Sequence, residues 1–324
     1  MSDRLVRDAI ILSKLETTYN TDAEPAAATD TMQVSQWTLD PLNAQNPKRD
    51  LIRAFLGGAE ELVGDRYIAS QYSVEMVGSG TAGTAPPWAS QIMACGFAET
   101  LTETTRADYT LTSGDFDSLT NYYHDSGVKH LSTGTRGNAV FRVELGDRPM
   151  IDLSFLGIHN AESAASQPSP TVTAWKQPQA VTNANSADVV LGCTHSTTGA
   201  PALSSGTTYP SKGIRVDLGN VVNHVALLGG EKIVISQREV VGEVTLELTA
   251  AQEVTLLGMV RDATLTSIGF VHGTVTGRKV LIFMPYCQLV QPRKAEESGL
   301  RLTTFGFRAT PGAGNDELRI VTSF

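Results

Sequence analysis

Alternation of apolar and polar residues with a period of two is the feature that most constrains the fold of this chain. In RYIASQYSVEMV, which starts at Arg66, every second residue from Ile68 to Met76 falls on one side of an extended backbone. Successive side chains of a strand point to opposite faces, so this segment predicts a half-buried strand. Similar segments recur at 119–125, 139–145, 150–158 and at several places from 213 onward. The sequence therefore predicts a mainly β protein.

Two short helices are predicted between these strands. The segment PPWASQIMACG (86–96) places its apolar residues, Trp88 among them, on one helical face and ends in glycine. In the second half, Thr249 and Gln252 have the spacing of a capping box, and Gly258 can end a helix of about nine residues. Both halves thus have a strand, a short helix and then further strands.

Parts of the two halves also match residue by residue. TGTRGNAVFRV (133–143) aligns with GTVTGRKVLIF (273–283) at an offset of 140, and IDLSFLG (151–157) aligns with LRLTTFG (300–306) at an offset of 149. The alternative is coincidence, because any two hairpins share glycines and alternating apolar residues. The match favours two tandem β-sandwich or barrel modules, each with one short α-helix, and an extended N-terminal arm.

Composition along the chain suggests four regions. Residues 1–50 form the arm, with a short amphipathic turn near its start, and residues 51–160 form the first module. Residues 161–212 are rich in Ala, Ser, Thr and Pro and form a partly structured connection. Within it, TVTAWK and DVVLGCT are expected to be strands. The second module spans residues 213–324.

Charge and cysteine content exclude several classes of function. The chain has 25 Lys and Arg against 34 Asp and Glu, a net charge of −9, which disfavours tight electrostatic binding of nucleic acid. Only 18% of residues are charged, and the neutral polar surface that remains suits contacts between subunits. The three cysteines lack a CxxC spacing, so neither a disulfide framework nor a zinc site is expected. No segment approaches the roughly 18 apolar residues of a membrane span, and the first residues do not resemble a signal peptide.

Two motifs that could suggest catalysis have simpler interpretations. GSGTAG (78–83) fits the GxGxxG dinucleotide fingerprint, but Pro86 and Pro87 delay the helix that would receive the pyrophosphate, so a loop is favoured. His124-Asp125-Ser126 contains the residue types of a catalytic triad in direct succession, which predicts a turn. The six histidines show no metal-ligand spacing. We therefore expect no enzyme activity, cofactor or metal, and a nucleotide-dependent oxidoreductase is the least favoured alternative.

Several segments resemble the tail tube (major tail) proteins of long-tailed bacteriophages. The strongest are KLETTYNTDAEP (14–25), which is similar to a KxETTYGT...P signature of that family, and MVGSGTAGTAPPWASQIMACGFAET (76–100). Weaker likeness lies in STGTRGNAVF, DLGN, SQRE and TPGAGNDELRI. Asn20 stands where the family usually has Gly, and Asn also tolerates the left-handed conformation.

The resemblance implies a structural subunit of stacked rings around a channel through which DNA passes during ejection. Loops and arms then make the contacts between rings, which assigns that role to the arm 1–25 and to a loop at 97–118. The candidate contact residues are Leu5, Leu15, Tyr19, Phe97, Tyr109 and Phe116. Glu296 and Glu297 are candidates to line an acidic channel, which would repel phosphates and let DNA slide without tight binding.

Two modules in one chain predict trimeric rings with pseudo-sixfold symmetry. If the two halves formed a single module, a hexamer would be expected instead. The other expected partners are phage tail proteins, with assembly in the host cytoplasm, a final location in the virion tail and no membrane anchor. A β-rich virion decoration protein or adhesin is the alternative function.

Overall fold

A computed structural model describes residues 4–324, and the first three residues of the predicted arm lie outside this range. The described chain has twenty-one strands and two helices, and the strands pair antiparallel throughout. The prediction of a mainly β protein is confirmed.

The first half contains nine strands and the shorter helix. Their bounds are β1 (Ala9–Leu15), β2 (Thr31–Met32), β3 (Val34–Ala44), β4 (Arg66–Glu75), α1 (Ala89–Met93), β5 (Phe97–Thr102), β6 (Arg106–Leu111), β7 (Leu119–Asp125), β8 (Val128–Glu144) and β9 (Met150–Ala164).

The second half contains twelve strands and the longer helix. Their bounds are β10 (Val189–Leu191), β11 (Thr194–His195), β12 (Leu203–Ser204), β13 (Thr207–Tyr209), β14 (Ser211–Asp217), β15 (Val221–Leu227), β16 (Gly230–Gln237), β17 (Val241–Glu247), α2 (Ala250–Arg261), β18 (Leu265–His272), β19 (Val280–Glu297), β20 (Leu300–Ala309) and β21 (Arg319–Thr322).

The two halves pair their strands in the same order. In the first half the neighbours run β3-β4-β9-β8-β7-β1-β2. In the second half they run β14-β17-β20-β19-β18-β10-β13. Each strand of the first series has its counterpart at the same place along the chain in the second, and each helix follows the second strand of its own series. We refer to these two series as the first and second repeat.

The register of the repeats differs from the one predicted from the sequence. Buried Phe155 of β9 lies opposite Gly137, and buried Phe307 of β20 lies opposite Leu289, so both hairpins superpose at an offset of 152. The predicted offset of 149 is wrong, because it matches buried Phe155 with half-exposed Thr304 on the other face of the sheet. An odd shift along a strand always exchanges its two faces.

The predicted offset of 140 is wrong because it displaces the two strands by twelve residues along their length. It matches Val140, inside β8, with Val280, the first residue of β19, whereas the first residue of β8 is Val128. The glycines of STGTRGN (132–138) predict a turn, but this segment lies within β8, where the register shifts near Gly134 at a positive φ of 56°. The glycines that suggested the match therefore lie at different places in the two hairpins.

The N-terminal segment belongs to the sheet and does not form a separate arm. β1 pairs along its full length with β7, and its Ile11 and Leu12 are buried, so the amphipathic turn predicted there is a strand. In the predicted connection, DVVLGCT contributes β10 and the start of β11, whereas TVTAWK (171–176) forms no strand. The repeats thus begin at Ala9 and Val189.

Both predicted helices are present, but different interactions stabilise them. α1 has no side-chain cap, and buried Trp88 and Ile92 hold it against the core. α2 has the predicted capping box between Thr249 and Gln252, but it continues past Gly258 to Arg261.

Candidate assembly interface

The two repeats meet through one pair of strands inside the chain. The C-terminal part of β8 pairs with β14, with Phe141 opposite Val216 and Val140 opposite Asp217. Both Phe141 and Val216 have 0% exposure. Burial of such side chains contributes roughly 1.5–3 kcal/mol each, so this internal junction is part of the core.

This junction joins the repeats into one continuous eight-stranded sheet. Its order is β3-β4-β9-β8-β14-β17-β20-β19. At one end, β3 pairs with no described strand other than β4. At the other end, β18 pairs with β19 only as far as Gln288, so residues 289–297 have no described strand on that side. Both ends of the sheet are open edges with unpaired backbone groups.

The open edges are the counterparts of the two strands in the internal junction. β3 occupies the place of β14, and the end of β19 occupies the place of β8. Asp40 corresponds to Asp217, because their partners Ala69 and Val241 are equivalent residues of β4 and β17. Arg293 corresponds to Val140, because their partners Thr304 and Asp152 are equivalent residues of β20 and β9. If two chains repeated the internal register, Asp40 of one would therefore lie opposite Arg293 of the next. The two charges are opposite. Among the described residues Asp40 forms no ion pair, whereas Arg293 lies 3.7 Å from the Glu243 carboxylate of its own chain.

A charged groove crosses the sheet beside the β19 edge. It has a volume of about 530 Å³ and lies over β14, β17, β20 and β19. Its charged lining residues are Glu144, Lys212, Arg215, Glu243, Arg293 and Glu296. Both signs are present, so the groove is not a uniformly acidic surface.

No protein-family model matches the chain, and no curated protein gives a significant match. Residues 4–324 hold no cluster of side chains that could bind a metal ion, and none of the helices among them is long and apolar enough to cross a membrane.

Of the six residues predicted to contact a neighbouring ring, two are not available for that role. The segment 97–118, predicted as a loop, contains the β5–β6 hairpin, and its Phe97 and Tyr109 are fully buried in the core. Phe116 is half-buried, with its ring near Gly96. Leu15 is half-buried and packs against the core, and only Leu5 is well exposed. Bulky side chains enclosed in one chain cannot form a contact surface for another.

Tyr19 has a role within the chain. Its hydroxyl accepts a hydrogen bond from the backbone N–H of Ile233 at 2.7 Å, and its ring lies 4.7 Å from the Arg136 guanidinium. Burial raises the pKa of this phenol. Glu16 and Asn20 support the turn: the Glu16 carboxylate accepts from the N–H groups of Asn20 and Gly134, and Asn20 has a φ of 59°, as its left-handed position requires. The ETTYN motif thus fixes the β15–β16 hairpin to the first repeat.

The Gly-rich segment 78–83 is a packing loop. The N–H groups of Gly78, Gly80 and Gly83 donate to carbonyls of Arg278, Gly277 and Ser323. A Cβ at Gly78 would lie 2.3 Å from a backbone oxygen. These amides are engaged within the chain and do not form a phosphate cradle.

The two predicted channel residues lie at the tip of the β19–β20 hairpin. Glu296 is exposed opposite Arg301, and exposed Glu297 forms an ion pair with Lys212.

The sequence prediction missed Asp40 and Arg293. The signal that could have found the correct register is a repeated pentapeptide, AFLGG (54–58) and ALLGG (226–230), at an offset of 172. The same offset superposes β4 on β17, because Ser70 lies opposite Phe155 and Gly242 lies opposite Phe307.

Proposed function

We propose that this chain is a structural subunit of a bacteriophage tail tube, in which three chains form a ring of six similar units and rings stack around a DNA channel. The observation that carries the proposal is the internal junction between β8 and β14, whose counterparts on β19 and β3 are open. Pairing β19 of one chain with β3 of the next would satisfy both edges and close a ring without a free end.

The number of strands supports three chains. Three copies of the eight-stranded sheet supply 24 strands, and a spacing of about 4.8 Å gives a circumference of about 115 Å. That corresponds to a barrel diameter of about 37 Å before strand tilt, which widens it further. Two copies would give only about 24 Å, the size of a 16-stranded porin barrel, whose aqueous channel is too narrow for a DNA duplex. A ring of three chains thus leaves a channel for a DNA duplex.

Charge supports passage of DNA without tight binding. The net charge is −9, and the groove beside the β19 edge carries Glu144, Glu243 and Glu296 among its basic residues. A channel with balanced or negative charge offers phosphates no cationic surface to hold them. The resemblance to tail tube proteins adds the virion tail as the location and other tail proteins as partners at the tube ends.

Mass photometry and negative-stain microscopy of the purified full chain test this proposal. We expect single rings of three chains, and tubes that grow by three chains at a time. A smallest ring of six chains, seen as one layer in the images, would support the hexameric rival. A chain that stays monomeric at high concentration would contradict both.

A further inference from the structure

The chain contains two versions of one connection, in two different states. β3 is joined to β4 by residues 45–65, and its counterpart β14 is joined to β17 by residues 218–240. AFLGG lies in the first connection and ALLGG in the second, at the offset of 172 that also relates β4 to β17. The two connections are therefore equivalent parts of the two repeats.

The second connection is folded and docked across the internal junction. Its strands β15 and β16 form a hairpin with Leu227 opposite Gly230, and its Ile233 and Ile235 are buried. The hairpin lies against β8 and β9 of the first repeat. The backbone N–H of Asn220 donates to the Asn138 side chain at 3.0 Å, and an Arg136 N–H donates to the carbonyl of Ile233 at 3.0 Å.

The first connection shares one cross-strand contact with the second, but most of it is exposed. Arg53 and Glu60, which the repeat places opposite each other, approach to 3.9 Å, and Arg49 also pairs with Glu60. None of residues 45–65 lies in a strand. Six apolar side chains of this connection are exposed by half or more: Leu51, Ile52, Phe55, Leu56, Leu62 and Val63. Such a set of exposed apolar side chains marks an interaction surface.

We infer that residues 45–65 fold into a β-hairpin on a second copy of this chain, where they lie on β19 and β20 as β15 and β16 lie on β8 and β9. This inference rests on the proposed ring, because it needs β3 of one chain beside β19 of the next. The second connection shows which partner to expect. It follows β14, and it packs on the repeat whose β8 pairs with β14. The first connection follows β3, so it should pack on the chain whose β19 pairs with β3.

The acceptor surface can be named from the register. The offset of 152 relates Asn138 and Ser154, which line the surface beneath β15, to the opposed pair Val290 and Gly306. Asn220 comes three residues after Asp217, and Asp217 corresponds to Asp40, so the counterpart of Asn220 is Asn43. Asn43 of one chain, just before the connection begins, should therefore lie beside Val290 of the next, as Asn220 lies beside Asn138.

A disulfide cross-link between chains tests this contact. In the full chain carrying Asn43→Cys and Val290→Cys, mild oxidation of assembled protein should give covalent dimers and trimers in most molecules. Asn43→Cys with Arg261→Cys is the matched control, because Arg261 is exposed on α2 and should give at least tenfold less. The three native cysteines are buried and should not interfere.

Hydrogen–deuterium exchange and a loop variant give a second readout. Amides of residues 45–65 should exchange at least tenfold more slowly in rings than in dilute chains. Phe55→Asp with Leu56→Asp should abolish that protection, whereas Val254→Asp, an equally exposed apolar site on α2, should not. If rings form but the connection stays unprotected and the cysteines do not link, the inference is wrong and the ring proposal stands. If no rings form, both are wrong.

Discussion

The internal junction and the open edges occupy equivalent places in the two repeats, yet their side chains differ in kind. Inside the chain, Val216 lies opposite Phe141, and both are buried. At the open edges the corresponding residues are Leu39 and Lys294, and Lys294 is exposed. A junction that forms within one chain during folding can be wholly apolar. An edge strand that is exposed to water before any second chain binds needs polar or charged side chains.

The open edges also carry residues that limit pairing. β3 contains Pro41 and β19 contains Pro292, whereas neither β8 nor β14 contains proline. Proline and charged side chains are common on edge strands because they prevent indiscriminate pairing with other chains. In the proposed ring, these residues would limit the β19 and β3 edges to one partner and one register.

The strongest test of this difference compares Phe141→Ala with Leu39→Ala. Phe141→Ala should lower the free energy of unfolding by about 3–5 kcal/mol, because it leaves a cavity in the core. Leu39→Ala should lower it by only about 1 kcal/mol in the isolated chain, because this side chain is half-buried. Urea denaturation followed by tryptophan fluorescence measures both, and equal losses would contradict the comparison.

The next test reverses one charge at the proposed contact between chains. Arg293→Glu would face Asp40, and this repulsion should raise the concentration needed for assembly at least tenfold, or about 1.4 kcal/mol. Adding Asp40→Arg to the same chain should restore assembly, which mass photometry would show. Asp262→Arg, an exposed reversal on α2, is the control and should assemble normally. Failure of the double variant to recover would rule out the predicted register.

A smaller effect is expected from salt. Raising sodium chloride from about 0.05 M to about 0.5 M shortens the range of charge interactions and should weaken assembly about threefold. The urea midpoint of the isolated chain should hardly change, because the internal junction is apolar. Sedimentation velocity at both salt concentrations measures the first effect, and assembly that strengthens with salt would show that the contact between chains is mainly apolar.

The sequence predicted local features better than distant ones. Alternation located β4 and β7, and the spacing of Thr249 and Gln252 located the start of α2, because these signals depend on neighbouring residues. β1 was missed as a strand because its burial depends on β7, more than a hundred residues away. Phe97 and Tyr109 were assigned to a surface because nothing nearby indicates that the β5–β6 hairpin folds into the core.

The register of the repeat was missed for a different reason. Glycines in 133–143 and 273–283 resemble each other, but a glycine serves a turn, a bulge or close packing equally well. AFLGG and ALLGG give the correct offset, yet they lie in connections, where similarity is harder to recognise than in strands. The proposed contact residues Asp40 and Arg293 follow only from the pairing of whole strands.

The last strand, β21, pairs with β6 of the first half, so the two halves contact each other at two separate places along the sheet. The segment 169–174, which connects the two halves, is exposed and contributes little to the contacts between them. Cleavage of the backbone there would leave two fragments that remain bound to each other and migrate apart only under denaturing conditions. The same stretch could receive an inserted peptide tag without disturbing either repeat.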